Sequence, residues 1–114
     1  LFEYPAPEAA LARAKPSDPR VAERFEIYAC GVELANGFGE LTDAREQRHR
    51  FMQAMNEKQC RYGERYPIDE DFLAAVATMP EAAGVALGFD RLVMLASGAH
   101  RIDQVVWTKP SGDA

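Results

Sequence analysis

Between residues 24 and 30 the chain alternates: apolar Phe25, Ile27 and Ala29 interleave with Glu26, Tyr28 and Cys30. A period of two predicts a half-buried β-strand. Gly31 supplies a turn, and Val32 and Leu34 begin a return strand, so 21–38 reads as a β-hairpin. The period then changes. Phe51, Met52, Met55 and Tyr62 recur at helical spacing and are expected to face the core. Asp43 with Glu46 three residues on is a capping box, and Gly63 and Pro67 end the helix. A second helix over 68–79 starts at Asp69, runs apolar through Phe72, Leu73 and Val76, and stops before Pro80. "AGVALGF" reads as a short buried strand, and "DRLVMLASG" as a helix opened by Asp90 and closed by Gly98. "QVVW" is expected to be a last short strand. At the other end, "LFEYP" is a strand candidate stopped by Pro5 and Pro7, followed by a surface connection through Pro16 and Pro19. The order predicts an α+β fold, a mostly antiparallel sheet with packed helices.

Composition narrows the function classes. The chain has 114 residues and a net charge of −5, so no general basic field draws it to nucleic acid. Two cysteines cannot make a disulfide framework, and the sequence shows neither a signal peptide nor a long apolar run. A cytoplasmic location is expected. Leu1 to Pro5 has the look of an interior strand end, which suggests a piece of a longer protein.

The chemistry concentrates in two clusters. Glu26, Glu33 and Glu40 are spaced seven apart, across the hairpin and along its return strand. An unpaired carboxylate inside a sheet costs several kcal/mol, an order that a bound cation offsets. Hard oxygen ligands suit Mg²⁺, which takes one or two carboxylates together with substrate phosphates. A solvated sheet face explains the same spacing. Glu33 differs in parity from Asn36, Phe38 and Glu40, so a shared site needs a β-bulge, expected at Gly37. The second cluster is "GVALGFDR", residues 84–91. Its glycines permit close approach of a ligand, and Arg91 offers a planar charged fork suited to phosphate. A strand with glycines before a surface arginine is also common without any ligand. His49 and His100 have no metal-ligand spacing, Cys30 and Cys60 read as small apolar fillers, and Arg45, Arg48 and Arg50 as a solvated helix face.

Together, "RFEIYACGVELANGFGEL" and "GVALGFDRLVML" resemble the C-terminal half of a class II lysyl-tRNA synthetase catalytic domain, the second segment being similar to that class's motif 3. "ELTDAREQ", "YPID" and "GVALGFDRLVML" are most similar to the paralogues of that family that attach lysine or β-lysine to elongation factor P. The resemblance implies a class II catalytic core fragment over 21–114, including motif 3, with 1–20 as a strand end and connecting segment of the same domain. It implies ATP and Mg²⁺, with Glu26 and Glu33 as metal ligands. Glu33, the Leu34 backbone, Gly88 and Arg91 would bind ATP, Arg91 being catalytic. Asn36, Phe38, Glu40 and Ala86 would bind the amino acid, Glu40 pairing with its side-chain ammonium. The implied activity is formation of an aminoacyl-adenylate and its transfer to a lysine of elongation factor P, by a homodimer when full-length. Two alternatives stand beside it: a lysyl-tRNA synthetase piece with tRNA as acceptor, and a catalytically silent dimerisation module. The sequence departs from lysyl synthetases at Ala86, where they usually carry glycine, and in the ending "VVWTKPSGDA", which lacks their Arg-Pro-rich terminus. Motifs 1 and 2 are absent from these residues, so the piece alone is expected to be inactive.

Overall fold

A computed structural model describes residues 1–108, so the end of "VVWTKPSGDA" lies outside the described residues. Strands β1 (Ala14–Lys15) and β2 (Asp18–Ala22) form a small antiparallel pair. The hairpin strands β3 (Arg24–Ala29) and β4 (Val32–Gly39) pair antiparallel, and β5 (Ala83–Leu87) joins the other edge of β4, giving the order β3-β4-β5. Between β3 and β4 lie only Cys30 (φ 51°) and Gly31 (φ 76°). A two-residue loop with both φ values positive is a type I′ turn, whose twist matches the flanking strands.

The alternation in 24–30 thus produces a hairpin, but its surroundings differ from expectation. Residues 1–5 run along the outer edge of β3, where Glu26 N–H donates to the Leu1 carbonyl and Glu3 N–H to that of Arg24, both at 3.0 Å. They form isolated bridges and no continuous strand, because Glu3 adopts φ 55° and Pro5 has no N–H to donate. The following connection is partly internal: Ala9, Ala12 and Ala22 are buried and form a small core on which Phe38 packs. Residues 104–107 form no strand. Gln104 Oε1 instead accepts the backbone N–H groups of His100 and Arg101, closing a 3-10 turn over Ile102–Gln104.

Helix α1 (Ala44–Tyr62) is capped by Asp43, whose Oδ1 accepts the N–H of Arg45 (2.8 Å) and Glu46 (3.1 Å), and ends at Gly63 with φ 70°. The reciprocal half of the box is missing, since Glu46 pairs with Arg50 one turn on. Phe51 and Met55 face inward, and the Phe51 ring lies 5.9 Å from Phe72 of α2 (Glu70–Thr78), but Met52 and Tyr62 are exposed. Asp69 caps α2 through Phe72 N–H, and Leu73 and Val76 are buried, while Phe72 remains 43% exposed. Helix α3 (Phe89–Ser97) has Gly88 as its N-cap, two residues before the expected Asp90, and closes at Gly98 with φ 71°. Strand β5 is exposed along its whole length, contrary to its apolar appearance. Its Val85 and Leu87 share the uncovered sheet face with Phe25 and Ile27, which leaves that face open.

Candidate active site

Residues directly opposite on paired strands project from the same face of a sheet. Arg24 stands opposite Phe38, Glu26 opposite Asn36, and Tyr28 opposite Glu33, while Asn36 and Phe38 face Ala86 and Gly84 on β5. One face therefore carries Glu26, Glu33, Asn36, Phe38 and Ala86. Glu40 continues it past the end of β4, held by its N–H to the Ala82 carbonyl at 2.9 Å.

Glu33 joins this face through a bulge, but at Leu34 and not at Gly37. Ile27 pairs with Ala35 and Tyr28 with Glu33, so Leu34 is the extra residue. The bulge leaves two carbonyls for the β5–α3 corner. Gly88 N–H donates to the Leu34 carbonyl at 2.8 Å, and Arg91 Nη1 donates to that of Glu33 at 2.9 Å. Arg91 Nη1 also lies 3.9 Å from the Glu33 carboxylate. Gly37 has another reason to be glycine: a Cβ there would come within 2.6 Å of the Phe25 ring.

Arg24, which sequence reasoning missed, joins much of the face. Its Nη2 donates to Glu26 Oε1 (2.7 Å), its Nε to Asn36 Oδ1 (3.4 Å) and its Nη1 to the Glu8 carbonyl (2.6 Å). Its guanidinium also stacks 4.6 Å from the centre of the Tyr4 ring. Arginine has donors only, so Asn36 must turn its oxygen toward Arg24 and its NH₂ away. Tyr28 Oη donates to Glu26 Oε2 at 2.5 Å. The Tyr28 and Tyr4 hydroxyls, and then the charge of Arg24, hold the Glu26 carboxyl below its ordinary range. The same bond, with desolvation, pushes the Tyr28 phenol up to about 12. A period of two would have placed Arg24 beside Glu26, so the signal was present. Gly84, two residues before Ala86, was read only as one of two glycines that permit close approach, with no site role of its own.

Glu40 contrasts with Glu26. Its side chain is half-buried, and among the described residues it has no hydrogen-bond or ion-pair partner. A carboxylate so placed favours a cation brought from outside. Glu26 and Glu33 are two carboxylates on one face, a donor set that fits Mg²⁺ shared with phosphates; no group of three or more metal-ligating side chains occurs among the described residues.

Elsewhere, His49 and His100 are exposed, as expected. Cys30 and Cys60 are exposed too, and fill no core: the first sits in the hairpin turn, the second on α1. Arg48 ties α1 to Glu70 of α2, and Arg50 donates to the Ala10 and Ala12 carbonyls, so only Arg45 matches a simply solvated face. No helix among the described residues is long and apolar enough to cross a membrane.

Comparison with known proteins identifies the family. The chain is 54% identical over 107 residues to an elongation factor P–(R)-β-lysine ligase of Klebsiella pneumoniae (strain 342). It is 54% and 55% identical over the same length to ligases of that name from Proteus mirabilis (strain HI4320) and Sodalis glossinidius (strain morsitans). Each match takes in 93% of this chain and 33% of the relative, so the chain spans about a third of the length of the curated relatives it matches. The family model for tRNA synthetases class II (D, K and N) matches residues 1–107, nearly the whole chain. The α+β chain with its bulged polar sheet face belongs to the class II tRNA synthetase family of the D, K and N type.

Proposed function

We propose that the full-length protein is an ATP-dependent ligase that activates lysine or (R)-β-lysine and joins it to a lysine of elongation factor P. A carboxylate oxygen of the amino acid attacks the α-phosphorus of ATP. The new O–P bond forms as the bond to pyrophosphate breaks, giving an aminoacyl-adenylate. The acceptor amine then attacks the acyl carbon, an amide forms, AMP leaves, and the amine's extra proton is released.

In this proposal Glu40 pairs with the distal ammonium of the amino acid. Asn36, Phe38 and Ala86 line the space around it, Asn36 presenting the NH₂ that Arg24 turns outward. The methyl of Ala86, beside Asn36, crowds an amine on the α-carbon more than one on the β-carbon. The Leu34 backbone and Gly88 border the nucleotide. Arg91 is half-exposed and can leave the Glu33 carbonyl to meet developing charge on phosphate. Glu26 and Glu33 would hold Mg²⁺, which when bound neutralises phosphate charge. The names of the relatives support the acceptor and the β-lysine; family membership supports ATP, Mg²⁺ and a cytoplasmic homodimer.

The observation that carries the proposal is that half-buried Glu40, on the same face as Glu33 and Asn36, has no side-chain partner among the described residues. Glu40→Gln keeps its shape and removes its charge. Breaking a buried charge pair on one side costs about 3–5 kcal/mol, so the amino-acid KM should rise at least about 100-fold. The ATP KM should change little, read by amino-acid-dependent pyrophosphate exchange on the full-length protein. Equal loss of both would make Glu40 a metal or folding residue.

A further inference from the structure

Glycine inside a strand weakens it, since it loses more conformational freedom on folding and offers no side chain to pack. Gly84 lies inside β5 with none of the usual reasons for a glycine. Its φ is outside the left-handed region, and it is exposed, so neither backbone conformation nor a crowded core demands it. A Cβ built on it would meet a single atom within 4 Å, Oε1 of Glu40, at 2.9 Å. Gly37 differs, because there the Cβ would also strike a backbone oxygen, that of Gly84, at 2.9 Å.

We infer that Gly84 is a specificity-determining position: its missing side chain makes the floor on which the Glu40 carboxylate lies, and so fixes how deep the distal ammonium of the amino acid is met. The inference rests on the proposed role of Glu40. A methyl at position 84 displaces only the end of a flexible side chain. The fold therefore tolerates it, and Gly→Ala at a compatible backbone stabilises by narrowing the unfolded ensemble. The lifted carboxylate meets an ammonium nearer the mouth of the pocket, which favours a diamino acid one methylene shorter than lysine.

The test uses the full-length protein in pyrophosphate exchange with lysine, (R)-β-lysine and ornithine as probes, with thermal melting alongside. Gly84→Ala is expected to melt no lower than wild type and to keep its ATP KM within about twofold. Its KM for lysine and (R)-β-lysine should rise at least about 10-fold, and its kcat/KM ratio of ornithine to lysine by a similar factor, the scale of one methylene in a pocket. Glu40→Asp draws the carboxylate back from the methyl. It should raise KM in wild type, yet by a smaller factor in the Gly84→Ala background. Unchanged amino-acid KM and ornithine ratio in Gly84→Ala, with Glu40→Gln impaired, would overturn the inference and leave the Glu40 role intact. A Gly84→Ala protein that fails to fold would also overturn it, because the glycine would then belong to the fold. An unimpaired Glu40→Gln would instead remove the proposed role of Glu40 itself.

Discussion

Glu26 and Tyr28 form the most strongly perturbed pair on the polar face, and their bond makes a prediction about pH. The Glu26 carboxyl is lowered from 4.5 and the Tyr28 phenol raised from 10.0 to about 12, first of all by the hydrogen bond between them. A carboxyl lowered by folding stabilises above its unfolded value and loses that contribution as pH falls through the folded one. A phenol raised by folding stabilises below 10.0 and loses that contribution as pH rises through about 12. Tyr28→Phe removes the phenol's effect and weakens that on Glu26, which Tyr4 and Arg24 still hold low. Its deficit in Tm should be constant between pH 4.5 and 10.0 and shrink on either side. A deficit independent of pH would show that the ring's packing, and not this bond, matters. At this scale the sequence was partly legible. The acidic residues announce themselves by type; Arg24 follows from its alternation with Glu26, whereas what a side chain at Gly84 would meet depends on Glu40 of another segment.

The β3–β4 hairpin shows both the reach and the limit of pattern. Its strands follow from alternation and its turn from Gly31, but the turn residue before it is a cysteine held at φ 51°. An L-residue there brings its Cβ close to the following carbonyl oxygen, whereas Asn tolerates the region and Asn-Gly is the preferred pair for a type I′ turn. Cys30 is exposed, so its replacement loses no packing. Cys30→Asn should stabilise by about 0.5–1 kcal/mol, seen as a higher urea midpoint at unchanged slope. A lower midpoint would mean the thiol has a role in the turn. Helices α1 and α2 were legible because Asp43 and Asp69 cap them locally. The bulge was anticipated from the parity of Glu33 but misplaced at Gly37, since a glycine marks a close approach as readily as a bulge. Strand β5 was misjudged in burial because an apolar run does not say what covers it.

The whole molecule leaves a large surface uncovered. Its Cα radius of gyration is 17.5 Å, where a compact domain of this length has about 13 Å. It exposes 8509 Å², against about 6200 Å² for a folded monomer of 12.6 kDa. Val85 and Leu87 are 63% and 53% exposed on the open side of the sheet. The 114-residue chain alone is therefore expected to show no amino-acid-dependent pyrophosphate exchange. Exchange above background would mean that these residues hold a complete ATP site. Whether the polar face selects a lysine-type amino acid for attachment to a protein can be read from intact mass. Elongation factor P is incubated with the full-length protein, ATP, Mg²⁺ and (R)-β-lysine, with tRNA and lysine in a parallel reaction. Elongation factor P is expected to gain the mass of one β-lysyl group, Glu40→Gln to abolish the gain, and tRNA to stay uncharged. Charged tRNA with elongation factor P unchanged in mass would contradict the proposed function.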